Sequence, residues 1–480
     1  MSSCQQYSLI QLSIPYASVV YNPRVTKGSG PASNQVCHQS PRTSGRDFLK
    51  RELNQSIAFT GAPGRHPTSL EDPQIYNPPT DPAPPTATTI PLSARTLKSP
   101  LLAAHFSVFL IGLNDAALGP LIPYLQPSYN IGLTFVAIVY ICNFCGWILA
   151  AFTNAHMTAR FGVGGAITFG GCIQLLAHSL QFWRPPFPVF VFSFFLAGWG
   201  IGYQDAQANA FVGGINESHR WLGLLHGVYG VGALVAPLIA TNVASRSERW
   251  ERFYCVPFAL AVVNLGLLGW GFRGLVRSGR VPVGDAQKDL KRVLARREVW
   301  LMALFFFCYV GTEVTAGGWV VEFLIRVRNG APSKVGYVAS GFWGGLTVGR
   351  LVLAEPTHRF GDRRMVFLYL VLAIGAQLIF WFVPNLITSA VMISILGFLL
   401  GPFFPTGVLV SMRLMPRELH VPAIGFMSSM GQAGSAAFPF LTGAIAAKKG
   451  VKVLQPILVA LLVAMIILWK LIPKVAKRTD

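Results

Sequence analysis

Residues 101–123 read LLAAHFSVFLIGLNDAALGPLIP, an apolar run interrupted by a single acid, Asp115. At 1.5 Å of rise per residue, a helix of about 20 residues crosses the roughly 30 Å of hydrocarbon in a bilayer. The run therefore reads as a transmembrane helix. Eleven more runs of this kind follow it: 132–153, 163–183, 187–211, 221–243, 253–275, 299–325, 335–354, 365–384, 387–411, 421–446 and 452–473. Two of them, 187–211 and 387–411, are rich in Gly and polar residues and are the least clear. A helix satisfies its own backbone hydrogen bonds in lipid. The fold expected is an all-α membrane protein with about twelve transmembrane helices.

Composition agrees. Of the 480 residues 52% are hydrophobic and only 12% charged, against roughly 25% charged in soluble globular proteins. The net charge is +20, but it is scattered through short connections, which argues against a nucleic-acid partner. The seven cysteines show no metal-ligand spacing with histidines and imply no disulfide framework. Nothing in the chain calls for a cofactor or a metal. Paired metal ligands, a nucleophile elbow and a phosphate-binding Gly loop are all missing from the sequence, so an enzyme is not expected.

Residues 1–97 are a different polymer, rich in Ser, Pro, Gln, Asn and Thr, and read as a disordered cytoplasmic tail. Six runs occupy 98–276 and six occupy 299–473, joined by a basic linker at 277–298 and followed by a short tail at 474–480. The linker carries Arg277, Arg280, Lys288, Lys291, Arg292, Arg296 and Arg297; the connection after run eight carries Arg359, Arg363 and Arg364; the C-terminus carries Lys474, Lys477 and Arg478. With twelve spans these fall on one face, which the positive-inside rule makes cytoplasmic. Arg246, Arg249, Arg252, Lys448, Lys449 and Lys452 lie on the opposite face and oppose this reading, but the inside tally is larger.

The two halves repeat. Arg160-Phe161-Gly162 after run two is matched by Arg359-Phe360-Gly361 after run eight, and Gly146 by Gly345. Gly198 and Gly202 in run four are matched by Gly397 and Gly401 in run ten. Gly232 and Pro237 correspond to Gly434 and Pro439, and Asp115 to Glu313. A duplicated six-helix unit is the ground plan of carriers whose halves rock around a midplane site.

Ionisable residues inside spans are costly and need a reason. Asp115 and Glu313 lie mid-span, and Asp205 lies toward one end of run four within Gln204-Asp205-Ala206-Gln207-Ala208-Asn209. A carboxylate in low dielectric exchanges protons at physiological pH, so Asp205, Asp115 and Glu313 form the proton-coupling set. Asn114, Asp115, Gln204, Gln207, Asn209, Glu313 and Trp319 form the substrate-binding set. Asp205 and Asn209, four apart, share a helix face. His226 is a possible proton relay and an equally good packing residue. Aromatics such as Trp343, Phe403 and Phe404 read as packing or as platforms for sugar rings. Arg350, Arg359, Asp362, Arg363 and Arg364 read either as membrane-edge anchors or as a charged cytoplasmic gate.

At this point the chain resembles the major facilitator superfamily (the MFS fold). The Arg359-to-Arg364 run is similar to that family's loop motif, although His358 stands at its usual acid and Ala354 at its usual leading Gly; the first-half copy, with Ala159 at the acid, is weaker. Within the superfamily, Asn114-Asp115 and the stretch from Gly202 to Phe211 resemble the fucose–proton symporter type and its fungal relatives, with Asp205 where that group has Glu. The resemblance implies that Asp115 serves substrate binding or coupling and that Asp205 is the protonation site. The function expected is secondary active transport of a small polar solute, possibly a sugar, by proton-coupled alternating access. An efflux carrier for a secondary metabolite and a transporter-like sensor are the alternatives. A monomer in the plasma membrane is expected, with a vacuolar or other internal membrane as the alternative.

Overall fold

The structure, a computed structural model, describes residues 94–215, 218–247, 249–275, 291–416 and 419–473. The expected tail before Ala94, linker residues 277–290 and residues 474–480 lie outside them. The described residues form helices and short connections, with no strand among them.

The helices are α1 (Ala94–Tyr129), α2 (Leu133–Gln181), α3 (Phe187–Gly213), α4 (Ser218–Arg246), α5 (Cys255–Gly271), α6 (Arg297–Arg328), α7 (Pro332–Val352), α8 (Ala354–Phe360), α9 (Asp362–Phe382), α10 (Leu386–Leu400), α11 (Phe403–Leu414), α12 (His420–Lys449) and α13 (Leu454–Leu471). Runs two and three both lie within α2, as two helices that meet at Gly162, where φ of 70° and ψ of 176° break the helix and turn the chain back. Run ten is split at Pro402 into α10 and α11, since Pro cannot donate to the helical ladder.

Among the described residues ten stretches have the length and hydropathy of a membrane span. The two expected runs outside that set are α7 and α12, not the two that read as least clear. Both are long but diluted with small and polar residues: Lys334, Gly341, Gly344 and Gly345 in α7, and Ser429, Gln432 and Ser435 in α12. α7 packs along α4, and α12 on the start of α2, so part of each helix is turned toward the other half of the molecule.

Within the first half α1 packs on α4 and α2 folds back on α3; within the second, α6 packs on α12 and α7 on α10. The sequence repeat is visible in the backbone. Asn130 and Asn329 end α1 and α6 in the left-handed conformation, with φ of 53° and 55°. Gly162 and Gly361 both have positive φ. Gly232 meets the Phe109 carbonyl oxygen so closely that a Cβ would overlap it, and Gly434 stands in the same relation to the Phe307 carbonyl oxygen. Small residues bring these helix backbones into contact where lipid provides no hydrophobic drive. Cys142, Cys145, Cys172, Cys255 and Cys308 are free thiols.

The start of α1 and the end of α13 lie on one face, here the terminal face; the turns at 129–133, 182–187, 247–254, 328–332, 382–386 and 449–454 lie on the far face.

Candidate functional site

Halfway along α1, Asp115 accepts hydrogen bonds from Asn114 (3.3 Å) and from the Tyr229 hydroxyl of α4 (3.1 Å). Halfway along α6, Glu313 forms an ion pair with Arg350 of α7 at 3.3 Å. Both side chains of that pair are buried, 5% and 9% exposed. Arg350 also donates to the Tyr309 hydroxyl (3.4 Å) and to the His226 carbonyl oxygen of α4 (3.5 Å). Its guanidinium stands 5.6 Å from the centre of the Tyr229 ring, inside cation–π range. A polar chain therefore runs from Asp115 through Tyr229 and Arg350 to Glu313, and it crosses from one half of the molecule to the other.

Arg350 sits in the last turn of α7, near the terminal face. Its long side chain lies within the protein and carries the charge to mid-depth. Asp205 of α3 lies nearer the terminal face and accepts from Asn209 at 3.0 Å, the i,i+4 pairing expected of that helix face.

The family model described as Major Facilitator Superfamily matches residues 104–325 and 301–480. The chain belongs to this superfamily. It is similar to Bypass of stop codon protein 6 of Saccharomyces cerevisiae, with 27% identity over 81% of this chain and 86% of that one. It is similar to the glucose/mannose transporter GlcP of Bacillus subtilis, with 21% identity over 72% and 88%, and to a glucose/galactose transporter of Brucella abortus, with 22% identity over 73% and 88%. Among solved structures it shares the fold of FucP in the outward conformation, with a TM-score of 0.57 at 15% identity, covering 79% of this chain and 99% of that one. The chain is thus a multi-pass integral membrane protein and a transporter of the major facilitator fold, as its sequence resemblance implied.

The other residues singled out in the sequence go to several places in this transporter. Gln204 is fully buried inside the first half, where it accepts from Ser107 (2.6 Å) and Asn264 (2.7 Å) and donates to Gln174 (2.9 Å). Gln207 donates to Asn154 and Thr158 of α2. Neither is brought to the Asp115–Glu313 chain. Trp319 is fully buried and donates its indole N–H to the Pro439 carbonyl oxygen, joining α6 to α12. Phe404 packs on Phe306 and on the His226 ring.

Of the five residues read as a terminal-face gate, only Arg350 reaches across the two halves. Arg359 pairs with Glu355 one turn away, both exposed. Asp362 pairs with Arg413, and Arg363 donates to the Lys470 carbonyl oxygen, which ties α9 to α11 and α13 inside the second half. Arg364 is exposed.

Sequence reasoning missed Tyr229 and Tyr309 as site residues. Tyr309 lies four residues before Glu313, a spacing that puts both on one helix face, and that signal was available. Nothing local marks Tyr229, because its partner is on another helix.

Proposed function

We propose that this transporter moves a small polyhydroxylated solute, a sugar, together with protons, by alternating exposure of a site at the Asp115–Tyr229–Arg350–Glu313 chain. The single observation that carries the reading is the buried ion pair of Arg350 and Glu313, joined through Tyr229 to Asp115 across the two halves. A buried charge is retained in a membrane protein for a function, and a network spanning two moving halves responds to their separation.

The roles divide by partner. Glu313 has a cation beside it. Asp115 has Asn114 and Tyr229, and Asp205 has Asn209; these partners are neutral. Those two acids are the proton carriers, and Glu313 with Arg350 is the charge switch that senses their state. Asn114, Asp115 and Glu313 then offer the substrate oxygen and amide groups, and Asn209 lies nearer the terminal side. The sugar reading is supported by the relatives named as glucose, mannose and galactose transporters. We place the terminal face in the cytoplasm, on the positive-inside rule, with bundles at 98–276 and 299–473 joined by the 277–298 linker. The plasma membrane is the proposed location and the monomer the working unit.

The test is uptake of radiolabelled D-glucose, D-galactose and L-fucose into liposomes holding the purified protein, with and without an inward proton gradient. Accumulation of one sugar above its external concentration only with the gradient is expected. Gradient-independent equilibration of that sugar refutes proton coupling, and no uptake of any of them refutes the sugar assignment.

A further inference from the structure

One turn from the acids, toward the far face, the two halves are in backbone contact. Gly119 lies four residues after Asp115 on α1, and Gly317 four residues after Glu313 on α6, about 6 Å of rise in each helix. A Cβ on Gly119 would come within 2.9 Å of the Gly317 carbonyl oxygen and 3.0 Å of that of Gly318. This seam closes directly over the acid cluster. Its walls carry buried polar groups. The Tyr140 hydroxyl from α2 lies hard against Gly318, and the Trp343 indole from α7 lies against Gly317, its N–H 3.0 Å from where a Cβ would be. Tyr140 is 9% exposed and Trp343 1%, and among the described residues neither the hydroxyl nor the indole N–H has a hydrogen-bond partner. Thr315 on α6 and Ser340, one turn before Trp343, also carry buried unpartnered hydroxyls.

A buried donor without an acceptor is costly, and native proteins seldom tolerate several together. We infer that Tyr140 and Trp343 form a subsite for a polyhydroxylated solute, pressed shut in this far-side-closed arrangement and opened when α1 and α6 part. The chemistry fits that class. The subsite offers a phenol that donates and accepts, an indole N–H that donates, and two aromatic faces, with no formal charge. A solute held there lies one helical turn from Asp115 and Glu313, close enough to touch both levels. The inference rests on the sugar-carrier reading above and extends it to residues outside the acid cluster.

Tyr140→Phe removes one oxygen that has no partner in the closed state, so it does not threaten folding. The experiment measures half-saturation for D-glucose, D-galactose or L-fucose exchange in liposomes for wild type, Tyr140→Phe and Trp343→Phe, alongside melting temperature. The expected result is a half-saturation concentration raised about tenfold in Tyr140→Phe, the loss of one hydrogen bond, with the melting temperature unchanged or higher. Unchanged half-saturation in Tyr140→Phe, with wild-type exchange intact, overturns the subsite and leaves the carrier reading standing. If wild type exchanges none of the three sugars, the carrier reading fails and the subsite with it. Should Trp343→Phe not fold, Tyr140→Phe alone decides.

Discussion

At the scale of single residues the decisive group is Arg350. Its guanidinium is buried, and only Glu313 among its contacts carries a compensating charge. Removing one partner of a buried pair costs about 3–5 kcal/mol because the other charge is left uncompensated. Glu313→Gln is therefore expected to lower the melting temperature of the detergent-solubilised protein strongly and to stop transport; a melting curve like that of wild type would show the pair to be dispensable. Arg350→Lys keeps the charge but loses the planar fork that meets Glu313 and Tyr309 together, and it is expected to retain little flux at wild-type expression. Asp205→Asn keeps the Asn209 contact in shape and removes the proton site. It should abolish proton-driven accumulation while sparing sugar-for-sugar exchange, and gradient-driven accumulation at the wild-type level would remove Asp205 from the coupling role.

This scale also shows what a sequence conceals. Asp115, Asp205 and Glu313 were legible because a charge inside an apolar run stands out. The partners of Gln204 were not legible: adjacent residues on a helix point about 100° apart, so Gln204 faces Ser107, Asn264 and Gln174 and not the direction of Asp205. Arg350 was read at the membrane edge because its Cα is there; the length and inward course of its side chain are invisible in one dimension.

At the scale of elements, glycines do two different jobs, and substitution separates them. Gly361 has φ of 97° with open space around its Cβ position, so Gly361→Ala tests backbone strain alone and should cost about 1–2 kcal/mol. Gly434 lies in a regular helix, and a Cβ there runs into the Phe307 carbonyl oxygen. Gly434→Ala must push α12 away from α6 and should be the more damaging of the two in melting temperature and in monodisperse yield. The reverse order would mean that these helices do not meet as described. The equivalence of Gly434 with Gly232 could be read from the repeated Gly and Pro spacing, whereas the carbonyl each one meets could not.

At the scale of the whole molecule, the far face is closed by more than glycines. Arg326 of α6, paired with Glu322, reaches across to Gln126 of α1 at 2.7 Å. Arg326 is half exposed, so the tie contributes about 0.2–1 kcal/mol. Arg326→Ala should raise the labelling rate of a Thr315→Cys thiol by far-side, membrane-impermeant reagent, by no more than about fivefold; no change would remove the tie from the closing mechanism. The all-α membrane fold was legible from run length, and the matching glycines of the two halves from the repeat at 199 residues. Which face is shut was not, because closure depends on pairs such as Gly119 with Gly317 and Gln126 with Arg326, about two hundred residues apart and unmarked by any local pattern.

In the proposed mechanism solute and proton move together through the chain joining Asp115 to Glu313. The most direct measurement is external pH around liposomes holding the protein, recorded as D-glucose, D-galactose or L-fucose is added without any imposed gradient. The account predicts alkalinisation on addition of the transported sugar, absent in Asp115→Asn liposomes. Sugar entry without a pH change in wild type, or alkalinisation that persists in Asp115→Asn, would contradict it.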